Sequence, residues 1–307
     1  MLDRFLYYCV ALPWSVMPLW LIYLLSDVFY FVIRFVIPYR KKVVIENVQN
    51  SFPEVSEKEQ KRIVKKFYRF FAYLFAESIK NLTISEKGLR KRITVKNPEI
   101  MEELRKEGRD VLFLSSHFNN WEFLITSQSL LFDFQAVGIG MPLSNKFWDE
   151  KLNARRERFG MKVVSAENYR DVLRSLKGKP TATLILNDQS PSNVENSYWT
   201  TFLGQETAFY FGVEIMANQM DAAVVNAIIH KVKRGKYELE LELVTKDPKS
   251  EPYGMITDQY VQTLEQAIRF RPEFWLWSHK RWKKGVPENL QELKDNHKKR
   301  FIEKFRS

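Results

Sequence analysis

The apolar positions of this chain change rhythm twice, and each change marks a different kind of element. From Phe5 to Leu25 there are 21 residues without a charge (FLYYCVALPWSVMPLWLIYLL), and after Asp27 the apolar character resumes from Val28 to Ile37, interrupted only by Arg34. About 20 helical residues cross the hydrocarbon core of a bilayer, so the stretch is long enough to span. Pro13 and Pro18 are expected either to kink a crossing helix or to turn the segment back within one leaflet. A cleaved signal peptide has a shorter apolar centre and a small-residue cleavage site, and neither pattern is present. The period then becomes helical. Ser56-Glu-Lys-Glu59 is a capping-box signature. Ile63, Phe67, Phe70 and Leu74 follow at helix spacing, with Val64, Phe71 and Phe75 beside them. Lys58, Lys61, Arg62, Lys65, Lys66 and Arg69 give the early turns of this amphipathic helix a basic face suited to anionic head groups or an acidic protein.

Beyond it, short apolar runs alternate with helical patterns, as in an α/β domain. Strands are expected at 111–116, 135–140, 161–164, 180–187, 222–229 and 236–244, the last alternating strictly as a half-exposed strand should. Helices are expected from Ser144 to Gly160, from Asn168 to Lys177 and from Ala208 to Gln219. The expected fold is α/β, a mixed central sheet flanked by helices. A membrane-associated helical segment occupies 1–38, and one domain fills 39–307 and ends in a basic tail.

Charge narrows the partners. Lys and Arg outnumber Asp and Glu by 48 to 37, a formal net charge of +11, which suggests nucleic acid, an anionic membrane or an acidic carrier protein. Between Lys280 and Ser307 ten basic residues face four acidic ones, so over half of the excess lies in this tail. No helix-turn-helix, RNP or zinc pattern is present, and the aromatics follow apolar periodicity, which argues against a nucleic-acid partner. The apolar N-terminus favours a membrane instead. Only Asp3 and Arg4 precede the segment whereas Arg40-Lys41-Lys42 follow it, so the remainder is expected in the cytoplasm. Cys9 is the only cysteine, which rules out an intrachain disulfide and any cysteine zinc cluster.

Candidate chemistry gathers at Val111-Leu-Phe-Leu-Ser-Ser-His117-Phe-Asn-Asn-Trp-Glu122. The apolar run reads as a buried strand delivering His117 to its carboxyl end, where ligands collect in α/β sheets. A carboxylate on one imidazole nitrogen fixes the tautomer and leaves the other nitrogen as a base. On one continuous helix His117 and Glu122 would lie roughly 140° apart, so their pairing requires His117 in a turn and Glu122 in the first helical turn, with Asn119 or Asn120 as its cap. Asp188 and Gln189 end the 180–187 strand at the same edge. Arg155 and Arg158 share a face of the 144–160 helix, suited to a phosphate, a carboxylate or charge developing in a reaction. The other three histidines read as structural or solvated: His230 on a strand, His279 in an aromatic and basic run, His297 in a polar tail.

Together these blocks resemble the lipid A biosynthesis acyltransferases, within the wider glycerolipid acyltransferase superfamily that shares a His-x-x-x-x-Asp/Glu motif. The resemblance runs through the apolar N-terminus, Arg40-Lys-Lys42 with Asn47, Ser51-Phe-Pro-Glu54, and His117 to Glu122. It continues in Arg156-Glu-Arg-Phe-Gly160, Asn187-Asp-Gln189, Phe202-Leu-Gly204 and Pro272-Glu-Phe-Trp-Leu-Trp-Ser-His-Lys-Arg-Trp282. Gly140-Met141-Pro142 departs from it, since many members place an aromatic and a basic residue before that proline. The resemblance implies a glycerol-3-phosphate acyltransferase-like fold and an O-acyltransferase moving a fatty acyl chain from an acyl-carrier-protein or acyl-CoA thioester to a hydroxyl of a membrane lipid. A lipid A precursor is the first expectation for that lipid, with lysophospholipids, glycolipids and aminolipids as alternatives. It gives His117 the role of general base, Glu122 that of orienting the imidazole, and Arg158 that of steadying the oxyanion or the Glu122 side. Asn120, Arg155, Asp188 and Gln189 form the expected substrate-binding set. No cofactor beyond the acyl thioester co-substrate and no metal is expected, and with Cys9 in the membrane segment the acceptor hydroxyl attacks directly. A noncatalytic lipid-binding protein remains the rival class.

Overall fold

The fold was analysed in a computed structural model that describes residues 1–176 and 178–306. Lys177, the expected end of the 168–177 helix, and Ser307, the last residue of the expected domain, lie outside the described residues. The strands are β1 (Ile93–Val95), β2 (Val111–Ser115), β3 (Gln135–Gly140), β4 (Lys162–Ser165), β5 (Thr181–Leu186), β6 (Ser197–Phe202), β7 (Gln205–Tyr210), β8 (Ala223–Lys233) and β9 (Lys236–Thr245). Seven of them form one sheet in the order β1-β9-β8-β2-β5-β3-β4. Every neighbouring pair is parallel except β8 and β9, which form an antiparallel hairpin. β2 sits at the middle and is buried along its whole length, as a parallel strand covered on both faces must be. That is why its sequence is continuously apolar rather than alternating.

Helices Glu99–Lys106, Trp121–Leu131, Lys146–Glu157, Tyr169–Ser175, Gly212–Met220 and Met255–Phe270 connect or flank the strands. One expected helix starts in the wrong place. Ala208 to Tyr210 belong to β7, which pairs with β6 in a separate two-stranded hairpin, and the helix begins only at Gly212. Leu203 and Gly204 both have positive φ, 51° and 74°, the geometry of a tight two-residue hairpin turn. The apolar spacing of Ala208, Phe209 and Phe211 fits both periods, and the turn decides between them.

The capping box is real, with Ser56 Oγ accepting from the Glu59 amide at the start of the Glu57–Lys80 helix. Ile63, Val64, Phe67, Phe70 and Leu74 are buried, Phe75 is exposed, and the six basic residues of the early turns are exposed. The N-terminal segment packs along the second half of this helix. Phe29 stacks on Phe75 at 4.6 Å, and Tyr23 meets Tyr73 edge-on. The uncharged run is interrupted at the second of its two prolines, where Met17 and Pro18 take extended ψ values of 152° and 140°. Before the break, Asp3 accepts from Trp148 Nε1. After it, Leu19–Val36 is helical for 18 residues with a mean hydropathy of 1.8. Ile22, Tyr23, Ser26, Tyr30 and Ile33 are buried against the domain, while Trp20, Leu24, Val28, Phe31 and Phe35 remain 57–69% exposed in one stripe.

Candidate active site

β2 and β5 are adjacent and parallel, with Ser115 opposite Leu186. The same register carried two residues further sets His117 beside Asp188. The pairing continues past the strands, since the Asn187 amide donates to the Ser115 carbonyl. Three donors converge on the buried Asp188 carboxylate. The His117 backbone N–H and its Nδ1 reach Oδ1 at 3.0 and 2.8 Å, and Trp275 Nε1 donates to Oδ2 at 2.9 Å. Burial alone would raise the Asp188 pKa. The charge and hydrogen bonds of His117, together with the Trp275 indole, outweigh it and hold the carboxyl below its usual range. An ionised carboxylate only accepts, so Nδ1 carries the imidazole proton and Nε2 presents a lone pair. That nitrogen lies 3.3 Å from Gln189 Nε2, and the Trp121 ring stands edge-on to the imidazole at 5.0 Å.

Glu122 corrects one expectation. It does occupy the first turn of the Trp121–Leu131 helix, capped by Asn120 through Phe123 N at 2.9 Å. Yet it does not bond to His117. Its Oε2 pairs with Arg155 and its Oε1 with Arg156 at 3.0 Å. Burial would raise this carboxyl, but the two guanidiniums, with a smaller contribution from His117, bring it down to about 2. Arg158 corrects another. Its guanidinium donates to the carbonyls of Asn81, Leu82 and Ile84 at 2.6–2.9 Å, so it anchors the loop after the Glu57–Lys80 helix and has no donor turned to the imidazole. Arg155 also reaches Ser78 O. Arg155 and Asn120, expected to bind substrate, are likewise spent on internal partners, Asn120 Nδ2 donating to Glu77 Oε2 at 2.5 Å. Arg156, which lies off the face shared by Arg155 and Arg158, is the second partner of Glu122. Long, flexible guanidinium arms reach one carboxylate from adjacent positions regardless of the helical face.

The aromatic run from Pro272 to Trp282 proves to be the clasp of the site. The Asn119 amide donates to Phe274 O, and the Leu276 amide to His117 O. Asn119 itself has φ 55°, a left-handed conformation that asparagine tolerates better than most residues. The clasp is tied down from the N-terminal side. Asn47 Nδ2 donates to the carbonyls of Trp277 and His279 at 2.8 and 2.9 Å, and Arg40 to Ser278 O. His279 is structural, one of the two readings expected for it, and accepts the Ser190 amide on Nε2 at 3.1 Å beside the site. Burial lowers its pKa to about 4, so it stays neutral. His297 is buried and bonded to Tyr253.

Residues 1–284 match the family described as bacterial lipid A biosynthesis acyltransferase. The chain belongs to that family. Among individual relatives, the lipid A biosynthesis lauroyltransferase of Escherichia coli is 23% identical over 254 residues, covering 81% of each chain. The lipid A biosynthesis acyltransferase of Haemophilus influenzae is 24% identical over 75% of this chain and 72% of its own. The palmitoleoyltransferase of the same pathway in Escherichia coli is 21% identical over 80% and 79%. The protein is therefore an acyltransferase enzyme of the lipid A biosynthesis family.

Proposed function

We propose that the enzyme transfers a fatty acyl chain from an acyl-carrier-protein or acyl-CoA thioester to a hydroxyl of a lipid A precursor, with His117 as general base. The observation that carries this reading is the saturated Asp188, which holds the proton on Nδ1 and leaves the Nε2 lone pair, faced by the Gln189 amide at 3.3 Å, as the one that accepts a proton. Nε2 removes the acceptor hydroxyl proton as that oxygen attacks the thioester carbonyl. The tetrahedral intermediate collapses by breaking the C–S bond, and the imidazolium returns its proton to the departing thiolate. Asp188 stabilises the imidazolium between the two steps. No acyl-enzyme is required.

The relatives' names support the acceptor class, and three of them name lipid A acylation with different chains or none. The exposed stripe from Trp20 to Phe35 fits insertion into the membrane that holds such an acceptor, with the catalytic domain on the cytoplasmic side, where acyl thioesters are made. The basic tail, helical over Leu290–Phe305, suits an acidic donor carrier or the CoA phosphates.

The test uses membranes carrying the full chain, a lipid A precursor and a labelled acyl-carrier-protein thioester. His117→Ala is expected to lower transfer about 10³-fold or more, and an unchanged rate would refute the general-base assignment. Mass spectrometry of lipids from a strain lacking the protein is expected to show lipid A short of one acyl chain. An unaltered lipid A profile rejects that acceptor.

A further inference from the structure

Glu77 is a buried carboxylate that the acyl-transfer steps do not use, and its three donors come from three parts of the molecule. Tyr23, on the exposed-stripe helix, donates its hydroxyl to Oε1 at 2.5 Å. Tyr237 of β9 donates to Oε2 at 2.6 Å, and Asn120 Nδ2 shares that oxygen at 2.5 Å. Asn120 is fully buried, Glu77 is 1% exposed and Tyr23 6%, so none of these bonds has water as a ready substitute. The other end of the Asn120 amide caps the helix that begins two residues after the left-handed Asn119 and four after His117. The break at Met17 is held to the same long helix, Lys80 Nζ donating to Ser15 O and Met17 O at 2.9 Å.

The geometry points to Glu77 as a positioning residue through which the N-terminal apolar helix sets the catalytic loop, so that the segment is part of the machinery and not only a tether. The proposal rests on His117 being the base. Its physical basis is that a buried carboxylate with one donor removed pulls harder on, or releases, the remaining two, and that a small displacement of a loop carrying a base is costly in rate.

Tyr23→Phe removes one hydroxyl and keeps the ring. In the full chain in membranes, with a labelled acyl-carrier-protein thioester and a lipid A precursor, it is expected to lower kcat about 10- to 100-fold at nearly constant donor KM. Amide hydrogen exchange is expected to rise in peptides covering 117–124. Tyr68→Phe, which loses a buried hydroxyl bond to Tyr39 O remote from the loop, is expected to keep both. In an Asn120→Ala background Tyr23→Phe is expected to add no further loss. An equal loss in that background, or unchanged exchange at 117–124 in Tyr23→Phe, overturns the proposal. Raised exchange in a protein that transfers no acyl chain to lipid A keeps the linkage and rejects the substrate reading.

Discussion

Asp188, buried, and Glu122, mostly buried, are carboxylates held below their usual pKa, and both stand near one histidine, yet they do opposite kinds of work. Asp188 meets an imidazole and an indole. Glu122 meets two guanidiniums. Arginine does not release its proton in proteins, so the Glu122 cluster is a fixed frame joining the Trp121–Leu131 and Lys146–Glu157 helices. An imidazole can accept and return a proton, so the Asp188 charge sits beside the group proposed to move one. A carboxylate near a histidine is therefore assigned by its nearest proton, not by its distance in sequence.

Removing each charge in turn is the sharpest way to break this contrast. Asp188→Asn leaves the tautomer undefined, and kcat for acyl transfer is expected to fall about 10³- to 10⁴-fold. Glu122→Gln is expected to lower kcat far less. It leaves Arg155 and Arg156 without their counter-ion, and unfolding by urea is expected to show a loss of about 3–5 kcal/mol. Equal kcat losses at the two positions would erase the distinction. Arg158 belongs with the frame as well. Arg158→Ala deprives three backbone carbonyls of a shared donor and is expected to cost about 1–3 kcal/mol while kcat stays close to that of the parent. A collapse of kcat with normal stability would return Arg158 to the reacting centre.

The smallest effect concerns histidines held neutral, the counterpart of the one proposed to accept a proton. Burial lowers His297 from 6.5 to about 4. Between those values the unfolded chain binds a proton that the folded chain refuses, so this contribution to stability is present above 6.5 and is lost as pH falls toward 4. The advantage of the parent over His297→Gln in urea unfolding is expected to shrink across that window. A gap independent of pH would mean that His297 does not stay neutral.

Much of this was legible in the residues. The run Val111–Ser115 announced a buried strand, and both His117 and Asp188 were placed at the carboxyl ends of strands on one edge. What the sequence did not carry was that β2 and β5 are neighbours. Fully buried parallel strands are apolar throughout, so nothing in their pattern encodes strand order, whereas an antiparallel hairpin such as β8 and β9 declares its pairing by the short turn between them. His117 and Glu122 are five apart and His117 and Asp188 seventy-one, so the nearer carboxylate drew the pairing. Trp275 was visible only as one of several aromatics in a block. An indole's donor cannot be matched to an acceptor until the chain between them has a path.

The clasp also sets when the enzyme comes into being. His117 is in place by the first half of the chain, but its carbonyl, the Asn119 amide and one oxygen of Asp188 find their partners only in residues 274–276. During synthesis the apolar N-terminus therefore emerges well before the site around His117 can close. A chain halted short of Trp275 lacks the residues that close the site, so under the general-base proposal truncation late in the message is expected to abolish acyl transfer as His117→Ala does.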